Sequence, residues 1–159
     1  MRIESFLQQS PVFQISRAAR RIEAALNQTL GEEELTFFES LVLTAVFFEK
    51  KGVKPSALAD AFETTRGNVS HCVSSLEAKG LVKRRIDPND ARALQIALLP
   101  AGRKRAVRVA AILDRMQRRF EEGMGTAELD GMLGLMHAVE ELCSGLAVTA
   151  NWKRQKKSF

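Results

Sequence analysis

At Gly80 the hydrophobic period of this chain changes. Upstream, "TRGNVSHCVSSLEAKG" sets Val69, Cys72, Val73 and Leu76 at i, i+3, i+4 and i+7, which is one face of a helix. Downstream, "LVKRRI" and "RALQIAL" read as strands with "DPND" between them. Asp and Asn bond to their own backbone and Pro presets φ, so that cluster is turn chemistry. The chain must therefore place a β-hairpin directly after a helix.

The segment before that helix completes a unit. "KPSALADAF" predicts a short helix beginning near Pro55, with Leu58 and Phe62 on one face. After the turn "ETT", Thr65 is placed to cap a second helix, Arg66 to Lys79, which Gly80 closes in the left-handed conformation. Two helices joined by a tight turn and followed by a hairpin make a winged helix-turn-helix. Opposite the apolar stripe the second helix shows Arg66, Gly67, Asn68, Ser70, His71, Ser74 and Ser75, a polar face nearly devoid of acid. Such a helix can enter the major groove of double-stranded DNA. Gly67 lets the backbone approach, and Arg66 and Asn68 carry the bidentate groups suited to guanine and adenine edges.

The flanking sequence is helical. Ser10 is a plausible N-cap and Pro11 a first helical residue, and Val12, Ile15, Ala19, Ile22 and Leu26 form one seam ending before Gly31. The preceding "IESFLQQ" is a separate turn of helix. Thr36 and Glu39 have capping-box spacing at the head of a central apolar helix that Gly52 should end. A basic helix is expected from Pro100 to about Glu122. After "GMGT" another follows, with Leu129, Met132, Leu133, Met136, Val139 and Leu142 as its stripe. The tail "NWKRQKKSF" reads as a frayed, solvated end. The expected fold class is mainly α with a small β-hairpin wing. Residues 1–34 would carry N-terminal dimerisation helices, 35–99 the winged helix-turn-helix lobe, and 100–159 the C-terminal dimerisation helices and basic tail, in one compact domain.

Charge agrees with a nucleic-acid partner. The chain carries a net +5, but residues 50–108 alone hold 13 Lys/Arg against 5 Asp/Glu. The basic excess is thus concentrated in one segment, the footprint of a polyanion-binding module. No apolar run approaches the roughly 20 residues that span a bilayer. The two cysteines, Cys72 and Cys143, are far apart, so a reducing, cytoplasmic setting is expected. Nothing suggests catalysis: there is no Gly-rich phosphate loop and no His-Glu-x-x-His, and neither His71 nor His137 is in a sequence context that suggests a nucleophile with its base. His71 and Cys72 are adjacent on a helix and point apart, so no metal is implied, and no cofactor is either.

The arrangement resembles the MarR family of bacterial winged-helix regulators. "TTRGNVSHCVSSLEAKGLVKRR" is similar to the family's recognition helix and first strand, and Asp87 to Ala93, "DPNDARA", to its wing signature. The resemblance implies a homodimer with interlocking terminal helices. It also implies a wing-tip arginine, here Arg92, that enters the minor groove and is held by Asp90, while Asp87 and Pro88 shape the turn. Arg84 and Arg85 join the DNA-facing candidates, although Lys83, Arg84 and Arg85 alternate along a strand and cannot all face one way. Arg103, Lys104, Arg105 and Arg108 would meet phosphates or acidic residues of a partner subunit. A small aromatic or lipophilic effector is a further implied partner with its residues unassigned; Phe13, Phe37, Phe38, Phe47 and Phe48 could line its pocket, but a Phe-rich buried helix is more often plain core. Three departures stand out. Glu63 occupies a turn position where glycine is usual, Leu99 replaces a capping threonine, and no cysteine lies near the N-terminus. The function expected is that of a sequence-specific transcriptional regulator, more often a repressor; the alternative is a winged-helix module for nonspecific DNA packaging or protein–protein contact.

Overall fold

The computed structural model describes residues 3–49, 52–87 and 90–155, the side chains of 90–92 and of residues beyond 145 excepted. Its elements run α1 (Ile3–Gln9), α2 (Pro11–Thr29), a 3-10 turn (Gly31–Glu33), α3 (Phe37–Phe48), α4 (Pro55–Ala61), α5 (Arg66–Ala78), β1 (Val82–Asp87), β2 (Asp90–Leu98), α6 (Pro100–Met124) and α7 (Thr126–Gln155). The fold class is the expected one: among the described residues the chain is helical with one antiparallel hairpin. By contacts the chain divides into two compact units, residues 21–115 and residues 1–20 with 116–159.

The 21–115 unit holds the core. Leu30, Leu43, Leu58, Val69, Leu76, Leu81, Ile96 and Val109 are almost wholly buried, drawn from the end of α2, from α3 to α6 and from the hairpin. Phe37, Phe38 and Phe47 pack against this cluster, whereas Phe48 is exposed. Caps decide where the helices begin. Thr36 Oγ1 accepts from Glu39 N at 3.2 Å and Glu39 Oε2 from Thr36 N at 2.8 Å, which is the anticipated capping box. Helix α3 ends at Phe48, earlier than expected, and Gly52 (φ +90°) lies in the following turn. There a Cβ would meet Gln95 Oε1 at 3.0 Å and the Ile96 carbonyl oxygen at 3.1 Å.

Helices α4 and α5 end alike. Glu63 N donates to the Asp60 carbonyl and Thr64 N to that of Ala59; Gly80 N donates to the Glu77 carbonyl and Leu81 N to that of Leu76. Both are Schellman closures, with Glu63 (φ +47°) and Gly80 (φ +68°) in the left-handed position. The departure noted at Glu63 is thus a non-glycine residue in a conformation that favours glycine. Helix α6 begins at Pro100 with Leu99 as its preceding residue. Its first turn lies so near the Leu81 backbone that a Cβ on Gly102 would sit 1.8 Å from the Leu81 oxygen.

In the other unit, α1 and the start of α2 are joined by Gln14 Nε2 donating to the Leu7 carbonyl at 2.6 Å. Ser10 Oγ accepts from Phe13 N at 3.3 Å, as a cap should. Gly125 (φ +82°) separates α6 from α7. The backbone of α7 continues helical to Gln155, through residues expected to fray; no proline or glycine interrupts "LAVTANWKRQ". Residues 156–159 of the tail lie outside the described residues. Among the described residues no helix is long and apolar enough to cross a membrane.

Candidate nucleic-acid interface

Helix α5 has two faces. Val69, Cys72, Val73 and Leu76 are buried, and Arg66, Gly67, Asn68, Ser70, His71 and Ser74 are exposed, as the periodicity predicts. Thr65 caps the helix: its Oγ1 accepts from Asn68 N at 3.1 Å. The Asn68 side chain joins in, Nδ2 donating to Thr64 Oγ1 at 3.0 Å, so one of the donors expected to read a base is already used at the cap. Gly67 has no neighbour that demands its smallness, since a Cβ there would meet nothing nearer than Thr65 Oγ1 at 3.8 Å. Ser75 departs from expectation. It turns from the polar face and donates to Glu39 Oε1 at 2.6 Å.

Glu39 is the hinge-pin of that departure. Buried beside the head of α3, it accepts from Ser75 and, at 2.7 and 2.9 Å, from Lys79 Nζ, while completing its own capping box. Desolvation by burial pushes its carboxyl pKa up, but the bonds from Lys79, Ser75 and the Thr36 backbone outweigh it and hold the group below the ordinary carboxylate value. The C-terminal turn of the exposed helix is thereby fixed to α3. Burial pushes the Cys72 thiol up to about 12, and the neighbouring Glu39 charge adds to the rise, so Cys72 is an inert core residue. His71 is exposed while Cys72 is buried, which separates the two as metal ligands. Among the described residues no group of three or more His, Cys, Asp or Glu is placed to hold a metal ion.

The hairpin stands beside this helix. β1 and β2 pair antiparallel, Val82 with Leu98 through Ile86 with Leu94, and the register shifts at Asp87, which pairs with Asp90. Ile96 also exchanges both backbone bonds with Val53, an isolated one-residue bridge too short for periodicity to show. Asp87 is buried with Lys54 Nζ at 3.5 Å, which ties the turn end of β1 to the residue preceding α4. Pro88 and Asn89, and the side chains of Asp90 and Arg92, lie outside the described residues; the backbone puts Asp90 and Arg92 at the start of β2. Arg85 is exposed, with Nη2 3.3 Å from Gln95 Oε1. Arg84 does not project outward as expected: it turns onto α5, bonded to Glu77, Ser70 and Ser74.

The basic start of α6 is also engaged within the chain. Arg108 grips Glu33 with two bonds of 2.8 Å, Arg105 Nη1 donates to the Glu33 carbonyl at 2.7 Å, and Arg103 stacks over the Phe47 ring at 5.8 Å. The bond from Arg108 lowers the Glu33 pKa against a smaller desolvation cost, and the charges of Arg108 and Arg105 lower it further. For Arg105 and Arg108 the acidic partners are thus Glu33 and Glu34 of the same chain.

Comparison with known proteins meets this geometry. The MarR family model matches residues 48–94, the stretch from the end of α3 into β2. The HTH-type transcriptional regulator PrsX of Escherichia coli is 31% identical over 87 residues, which cover 54% of this chain and 52% of that one. The chain thus spans about half the length of that curated relative. CouR from Rhodococcus jostii RHA1, solved bound to p-coumaroyl-CoA, is 26% identical, with a TM-score of 0.70 over 84% of this chain and 93% of its own. MepR of S. aureus, solved as a DNA complex, shares the fold at 20% identity, with a TM-score of 0.73 over 83% of this chain and 97% of its own. The family model lies on the helix-turn-helix and wing, and the likeness to solved structures extends over more than four-fifths of the sequence, so the chain has the winged helix-turn-helix fold and is similar to regulators of the MarR family.

Proposed function

We propose that this protein is a homodimeric, sequence-specific DNA-binding repressor of the cytoplasm, and not an enzyme. The observation that carries the reading is the outer face of α5, where Arg66, Gly67, Asn68, Ser70, His71 and Ser74 stand exposed on a capped helix with no carboxylate among them. That face enters the major groove, with Thr65 setting the helix start, and the wing with Arg85, Asp90 and Arg92 reaches the flanking minor groove. In this reading residues 35–99 are the DNA-binding lobe, and residues 1–34 and 100–159 carry dimerisation. Exposed apolar residues on α2 and α7 support the dimer, among them Val12, Ile22, Leu133, Leu135 and Leu142. A C2 dimer covers both seams at once. Its operator is a pseudo-palindrome with half-sites about 10 bp apart. The p-coumaroyl-CoA bound to CouR supports a small aromatic or lipophilic effector as the releasing ligand.

Selection from a random duplex pool at two salt concentrations, with Arg92→Ala alongside, tests the reading. Enrichment of a pseudo-palindrome, a steep salt dependence and weaker binding by the variant are expected. Salt-dependent binding without enrichment would leave nonspecific packaging. No binding at low salt would leave protein–protein contact.

A further inference from the structure

The edge of the wing facing α5 is closed by one side chain. Ile96 spends its backbone N–H and carbonyl on Val53, on the far side of β2, so at the Arg84–Ile96 pair the Arg84 amide points away from the sheet. An edge N–H of that kind needs a partner. Glu77 supplies it: Arg84 N donates to Glu77 Oε1 at 2.7 Å, and Arg84 Nη1 forms an ion pair with Glu77 Oε2. The other guanidinium nitrogen, Nη2, crosses α5 to the Ser70 carbonyl at 3.1 Å and Ser74 Oγ at 3.0 Å. Ser74 Oγ in turn donates to the Ser70 carbonyl at 2.9 Å. One arginine is thus fastened to the helix at three side-chain and backbone acceptors, and one carboxylate holds both the backbone and the side chain of that arginine.

We propose that Arg84 and Glu77 form a bracket that fixes the angle between wing and recognition helix, so that Arg84 acts on DNA as a positioning residue and not as a phosphate contact. The inference rests on the DNA-binding reading above. The bracket makes the groove-entering helix and the wing one rigid body, and the entropy of ordering them is then spent in folding and not on each binding event. It also occupies Ser74, which leaves the first turn and a half of α5, from Arg66 to His71, as the part that reads bases.

The two roles predict opposite signs for one substitution. Were Arg84 a phosphate contact, Glu77→Gln would remove a negative charge near DNA and tighten binding. As a bracket, Glu77→Gln weakens binding to the selected operator by about tenfold, the scale of one lost contact in such an interface. The measurement is operator affinity across a salt series for the full-length wild type, Glu77→Gln, Arg84→Gln and the double variant. Expected are similar losses in all three variants, non-additive in the double, with the salt slope of Arg84→Gln unchanged. A salt slope reduced by about one in Arg84→Gln would overturn the proposal, because it counts a released counterion. So would tighter binding by Glu77→Gln. Arg84→Lys keeps the charge but not the fork, and covers the case in which the other variants fold poorly; full affinity in that variant would equally overturn the bracket. Failure of the wild type to bind any duplex would overturn the DNA reading itself and this role with it, an outcome distinct from a wild type that binds and variants that do not weaken.

Discussion

Gly67 costs the fold something and returns nothing to it. Glycine in a helix is less favourable than alanine by roughly 0.5–1 kcal/mol, and the surrounding space would accept a Cβ. If DNA backbone or a base edge approaches this turn, the missing side chain is what admits it. Gly67→Ala is therefore expected to raise stability by about 0.5 kcal/mol in urea unfolding while weakening operator binding several-fold. A variant more stable and equally tight would remove the close approach. Much at this scale was legible in the sequence because it is local. Thr65 as a cap, Gly80 as a stop and the buried stripe of Val69, Cys72, Val73 and Leu76 depend only on neighbours within a turn or two. The unusual Glu63 was legible as a departure, and the structure supplies its cause in a positive φ at a Schellman closure.

Between elements, legibility fell away, since pairs such as Ser75 with Glu39 or Lys54 with Asp87 depend on how distant segments pack. Helical period placed Ser75 on the polar face, and only the position of α3 turned it aside onto Glu39. Arg84 shows the same limit: strand alternation implied that one of three basic residues turns aside, but not which acceptor takes it. Gly102 was invisible for a similar reason. By propensity Gly102→Ala in a helix should stabilise by up to about 1 kcal/mol, yet the new Cβ would overlap the Leu81 carbonyl oxygen. The overlap is with backbone, so relief requires α6 to move from the wing base. The expected result is a loss of about 2–3 kcal/mol, read from the urea midpoint at constant slope. A neutral or stabilising Gly102→Ala would show that the first turn of α6 is freer than this contact implies.

For the whole molecule, the exposed apolar residues matter more than any ion pair. In the unit of residues 1–20 and 116–159, an open groove of about 580 Å³ runs along Pro11, Ile15, Met132, Leu135, Met136 and Val139. Leu135, 72% exposed in the single chain, belongs in a subunit interface on the proposed reading. Leu135→Glu should shift sedimentation from twice the chain mass toward the single chain and reduce operator affinity, because a palindrome is bound by both halves together. An unshifted mass would move the interface elsewhere. The same scale gives the buried thiol of Cys72 a use. In the closed lobe the Cys72 thiol is buried and burial pushes its pKa up to about 12, so a thiol probe is expected to reach it when the 21–115 lobe opens. The lobe thus carries its own stopwatch: chemical capture of that sulfur counts openings one molecule at a time, and any ligand that clamps the lobe slows the count, whether or not its identity is known.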